Sequence, residues 1–306
     1  MKGSRTAKRL NRLASLASLG LASVLIGVKI WAWIATGSIA MLTSAIDAIV
    51  DAGAAIATFA GVQYAAKPAD RDHRFGHGKG EALAAFVQAM FLAGAAVVLV
   101  FQSVERLINP EPLTHLGLGF WIIIGSTIAA TGLVAMQSWV TQRTASTAIA
   151  ADRAHYLTDI AVNLAVLAAF VVTGVTGWVS ADPVFALGIS CYMLWNVKSI
   201  THHALRQLLD RELSTHDRNR ITKAVLDVAG VDALHDLRTR DAGDRVFVEF
   251  HLEVAGAMSV TDGHAVSEAA EAAVGDLFPN GVDTVVHIEP AGIKDARLDA
   301  VLGMRS

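Results

Sequence analysis

The sequence predicts an α-helical membrane protein: six transmembrane helices, then a C-terminal cytoplasmic α+β domain of order αββαβ. Three observations carry this. The 306-residue chain is 53% hydrophobic and only 17% charged, with a mean hydropathy of +0.46, whereas a soluble globular protein usually carries about 25% charged residues. The apolar residues fall into six long, nearly charge-free runs before Leu209, and after that point charge returns with the short periodicities of a water-soluble fold. The net charge of −3 offers no broad basic surface and argues against a nucleic-acid partner. The single cysteine, Cys191, excludes an intramolecular disulfide framework and a Cys-based zinc cluster.

A bilayer core of about 30 Å takes about 20 apolar residues as helix. Spans are expected near 13–35, 39–65, 81–105, 117–140, 146–175 and 180–202. The sixth has a short uncharged run, Pro183 to Val197, which Lys198 extends by snorkelling. Lys29, the lone charge between Arg12 and Asp47, reads in the same way, as a structural residue. The N-terminus carries Lys2, Arg5, Lys8, Arg9 and Arg12 with no cleavage pattern, and the loop after the second span carries Lys67, Arg71, Arg74 and Lys79. Basic loops stay inside. Both termini and the soluble domain are therefore expected on the cytoplasmic side of the membrane, in keeping with the lack of disulfides.

In the soluble segment, Ser214 or Thr215 can cap a helix closed by Gly230. A strand is expected near 233–239. From Arg245 to Val254 the residues alternate, with Val246, Val248, Phe250, Leu252 and Val254 on one face and Phe247, Glu249, His251 and Glu253 on the other. A second helix runs from Val260 to Leu277, stopped by Pro279-Asn280-Gly281, and a last strand runs from Val282 to Glu289. Two helices then cover one face of one sheet. The domains are 1–208, 209–292 and a tail, 293–306, without a readable motif.

The charges inside the spans are the informative residues. The second span holds Asp47 and Asp51, the fifth His155 and Asp159. Each pair is spaced i, i+4, on one helix face. Ionisable groups at bilayer depth cost at least ~2.5–3.5 kcal/mol each on insertion scales, and three carboxylates held together repel. A divalent cation resolves this, and three Asp oxygens with one imidazole nitrogen suit tetrahedral Zn²⁺. Such ligands shed protons to bind metal, so a site facing two compartments of unequal pH exchanges metal for protons, with His155 the natural carrier.

Asp-x3-Asp and His-x3-Asp within six spans followed by a cytoplasmic α+β domain resemble the cation diffusion facilitator family, in its bacterial zinc and ferrous-iron efflux branch. The resemblance covers Arg12 to Glu289. It implies a ferredoxin-like soluble domain and a homodimer that exports Zn²⁺, with Cd²⁺ or Fe²⁺ as further cargo, against protons by alternating access. The transport site maps to Asp47, Asp51, His155 and Asp159. In the loop after the second span, Asp70, His73 and His77 lie within eight residues, a pattern that fits either a divalent-metal site or a solvated charged loop. The resemblance implies a second metal site there. In the soluble domain it implies a binuclear zinc site at His235, His251, His264 and His287, with Glu289 in place of the family's Asp. It also implies a hinge pair across protomers, Lys79 with Asp210. His115, His202, His203 and His216 match no implied ligand.

Two other classes compete. An intramembrane metalloenzyme calls for an open coordination position and usually three protein ligands, and neither His-Glu-x-x-His nor Gly-x-Ser-x-Gly occurs. A membrane-anchored metal sensor needs no quartet of ionisable groups in mid-span.

Overall fold

The structure, a computed structural model, describes residues 2–36, 39–109, 117–278 and 281–292. His115, the Pro279-Asn280 helix stop and the 293–306 tail lie outside the described residues. The order is α1 (Lys2–Thr36), α2 (Ile39–Ala65), α3 (Gly80–Ile108), α4 (Gly117–Thr144), α5 (Thr147–Thr176), α6 (Ala181–Leu208), α7 (Thr215–Leu226), β1 (Ala233–Asp241), β2 (Val246–Val254), α8 (Val260–Leu277) and β3 (Val282–Pro290). The first six are long and apolar enough to cross a membrane. The chain forms two compact units, Arg5–Leu205 and a second from Arg206 onward.

In the first unit small residues sit inside and large apolar ones outside. Ala54, Ala82, Ala85 and Ala89 are fully buried, while Phe101, Trp121, Val175 and Trp195 are exposed. Helices in lipid gain most from close backbone approach at small residues. Gly61 is the sharpest case, because a Cβ there would fall 2.3 Å from Cβ of Ala84 and 2.9 Å from the Gly80 carbonyl oxygen. Gly61 is thus a packing residue of the α2–α3 contact. Ser146 caps α5 by accepting from the Ile149 amide, and left-handed Gly177 (φ 74°) closes it.

In the second unit β2 is central, antiparallel to β1 and parallel to β3. Val248, Phe250, Leu252 and Val254 pack against Ile221 and Val225 of α7 and Ala270 and Val274 of α8. Ser214 rather than Thr215 caps α7, and Ser259 caps α8. The expected helix end shifts: α7 stops at Leu226, and a turn carries the chain to left-handed Gly230 (φ 93°). The opposite sheet face is not simply polar and open. Phe247 and Glu253 are buried; Phe247 pairs across the ladder with Arg240, whose guanidinium lies 4.8 Å from its ring centroid.

Candidate metal centres

In the membrane unit the α2 and α5 faces meet as expected. His155 Nε2 lies 3.2 Å from Oδ1 of Asp51 and 3.7 Å from Oδ2 of Asp159. The ligand atoms of these three residues all fall within 4.8 Å of one another. The imidazole is buried and the two carboxylates half-buried. Asp47 stands apart from this set, exposed and one turn earlier on α2. Its Cβ is about 5–6 Å from that of Asp51, so it reaches a shared ion only by turning its side chain toward the trio. Lys29, read from sequence as structural, is half-buried on α1.

The loop between α2 and α3 gathers Asp70, His73 and His77 within the same 4.8 Å. Asp70 Oδ1 accepts from the amides of Asp72 at 3.0 Å and His73 at 2.7 Å. These bonds, the His73 amide foremost, hold its carboxyl below the usual carboxylate range. His77 is buried, its Nδ1 3.1 Å from the Pro68 carbonyl oxygen and its Nε2 3.4 Å from Asp70 Oδ2. Only an N–H can bond a carbonyl oxygen, so the proton sits on Nδ1 and Nε2 faces the carboxylate, as for a cation held between them.

In the soluble unit, register does what helical spacing does in the membrane. His235 pairs with His251, and His251 with His287, so three histidines stand side by side across the sheet. Their ring centroids are 5.1 and 4.7 Å apart. One row along, Glu253 pairs with Glu289. Glu289 reaches two of them: Oε1 contacts His235 Nε2, while Oε2 lies 3.8 Å from His251 Nδ1. One carboxylate thus addresses two histidines. Asp236 and Glu253, not read as ligands from sequence, join the group, with carboxylate oxygens 3.8 and 3.7 Å from His235. His264 does not join: it is exposed on α8, 3.4 Å from Glu268. His202 and His203 lie near the end of α6, where His203 Nδ1 is 2.9 Å from the Ser199 carbonyl oxygen, and His216 is exposed on α7. Lys79 precedes α3, and Asp210 follows α6 at φ 52°, its carboxylate 3.9 Å from Arg240.

Six membrane-spanning helices, ionisable side chains converging between the second and fifth, and a soluble domain with a histidine-lined sheet define a multi-pass membrane transporter of cations. Comparison places it: the chain belongs to the cation efflux family, matching the cation efflux transmembrane domain over residues 15–209 and the cytoplasmic domain of cation efflux proteins over 213–291. It is 39% identical over 285 residues to the cation-efflux pump FieF of Escherichia fergusonii, spanning 93% of this chain and 94% of that protein. The FieF pump of Escherichia coli K12 / DH10B matches to the same extent. Among solved structures, the Zn form of CzrB is 34% identical over 28% of this chain and 99% of that one, at a TM-score of 0.26. The protein is a transporter, not an enzyme.

Proposed function

We propose that the protein exports divalent metal, Zn²⁺ first and Cd²⁺ and Fe²⁺ as further cargo, from cytoplasm to periplasm in exchange for protons. The observation that carries this is the meeting of Asp51, His155 and Asp159 between α2 and α5. One imidazole among carboxylates suits a borderline cation such as Zn²⁺ better than Mg²⁺ or Ca²⁺. Asp47 completes the set as fourth ligand. Proton exchange follows from ligands that must be deprotonated to bind. Alternating access then requires that the site open to one side at a time, with metal favoured in one state and protons in the other.

The basic loops put both termini in the cytoplasm of the inner membrane. Asp70, His73 and His77 form a second metal site. His235, His251, His287 and Glu289 hold one or two further Zn²⁺, with His264 reaching them only from a different position. The protein works as a homodimer, in which Lys79 and Asp210 pair across protomers and the soluble-domain metals set the transport rate. The test is counterflow in sealed proteoliposomes with an imposed pH gradient, comparing Zn²⁺, Cd²⁺, Fe²⁺ and Mn²⁺. Metal uptake should move protons the other way and stop in Asp51→Ala. Undiminished flux in that variant overturns the site, and flux indifferent to the pH gradient overturns the coupling.

A further inference from the structure

A buried carboxylate that supplies no ligand atom to the proposed cargo site lies one turn from it. Asp152 of α5 is 1% exposed. Its Oδ2 accepts a 2.6 Å hydrogen bond from Nε2 of Gln137 on α4, itself fully buried. Ser18 of α1 lies beside the carboxyl, with its own hydroxyl 3.4 Å from that of Tyr156. The other oxygen, Oδ1, is buried with no hydrogen-bond partner. Three residues on, and so on the same helix face, His155 turns Nε2 to Asp51 and leaves Nδ1 buried with no partner as well. Buried polar atoms are seldom left unpaired, and these two are complementary. Once a cation takes Nε2, the ring's proton sits on Nδ1 and calls for an acceptor. A carboxylate or carbonyl in that position fixes the tautomer, orients the ring and raises the basicity of the ligating nitrogen. The loop shows the finished form of the same device, with His77 Nδ1 bonded to the Pro68 carbonyl and Nε2 turned to Asp70.

We infer that Asp152 is a positioning residue for His155, accepting Nδ1–H through its unpartnered Oδ1 when metal is bound, by a side-chain rotation or through one water, while Gln137 holds the carboxylate in place. This rests on reading Asp51, His155 and Asp159 as the cargo site.

The test is the KM and maximal rate of Zn²⁺ flux by the full-length protein in proteoliposomes, across a range of pH. Asp152→Asn keeps the shape and removes the charge. It should raise KM by about 10–100-fold, the usual effect of losing the outer partner of a metal-bound histidine. Asp152→Glu should recover part of the loss. Gln137→Ala leaves the carboxylate but loosens it, and should raise KM in the same direction by less. If Asp152→Asn does not insert and fold, Gln137→Ala decides. A fall in maximal rate at every pH with KM unchanged assigns Asp152 to packing and overturns the inference. Full flux in Asp51→Ala overturns the cargo site itself. Abolished flux there beside an unchanged KM in Asp152→Asn overturns the positioning role alone.

Discussion

The membrane and soluble-domain donor clusters are assembled by different geometry. Between α2 and α5, donors meet because a period of 3.6 residues stacks i and i+4 on one face, and a single helix–helix contact brings two faces together. On the soluble-domain sheet they meet because strands about 4.8 Å apart hold His235, His251 and His287 in one row and Glu253 and Glu289 in the next. The first arrangement gathers three ligand atoms and leaves Asp47 outside; the second gathers six residues in overlapping triads. A helix contact can tilt or slide without breaking its own hydrogen bonds, whereas a ladder cannot shift register without breaking all of them. On the proposed function, this is the difference between a site that lets go of its ion and one that keeps it.

The largest expected effect separates the two regions outright. His155→Ala should reduce Zn²⁺ flux in proteoliposomes to background while the purified protein retains metal in its soluble domain, counted by elemental analysis. Loss of both would mean that the clusters are not independent. The next tests what lets the helices meet. Gly61→Ala sets a methyl against Ala84 and the Gly80 carbonyl, an overpacking that costs about 1–3 kcal/mol. Its melting temperature should fall, and Ala84→Gly should restore part of it. A neutral Gly61→Ala would show that α2 and α3 separate freely.

How far each region could be read beforehand follows the same division. Asp51, His155 and Asp159 were legible because i, i+4 spacing is local and ionisable groups inside a charge-free run stand out. Asp152 was not, because it falls beside Arg153 among the charges that open the fifth span, and only the fold shows Gln137 of α4 bonded to it. In the soluble domain the order of helices and strands was legible from periodicity, but the ligand set depends on register between strands distant in sequence. A signal for Glu253 was present all the same: His-x-Glu occurs at 251–253 and again at 287–289. Asp236 had no such signal. It joins through an irregularity of β1 between His235 and Arg238, where its own φ is 52°. Phe247, placed on the polar face by alternation, is buried because its cross-strand neighbour Arg240 lies over it.

A smaller effect sharpens the sheet side. Glu289→Gln keeps the shape of a side chain that addresses both His235 and His251 but removes the charge that would bridge two cations. Zn²⁺ binding to the full-length protein should lose its tightest component in a competition titration with a fluorescent chelator, and the maximal rate of flux should fall with it. Glu289→Asp tests reach with charge preserved. If it binds as tightly as the native protein, bridging does not depend on arm length.

The smallest effect is expected in the loop, where one carboxylate has two jobs. Asp70 both closes the turn, by accepting from two backbone amides, and faces His77. Its carboxyl is held below the usual range, chiefly by the His73 amide. A group whose folded pKa is lowered stabilises the fold above its unfolded value, near 3.9 for Asp, and loses that contribution only as pH falls through the lower folded value. Acidification from pH 7 to 5 should therefore leave the turn intact, read as unchanged amide hydrogen exchange over residues 70–77. Asp70→Asn keeps an acceptor oxygen for the two amides and removes the charge, so it should weaken metal retention in the loop yet preserve protection from exchange. Asp70→Ala should lose both. Equal exchange in the two variants would show that the charge, and not the acceptor, shapes this turn.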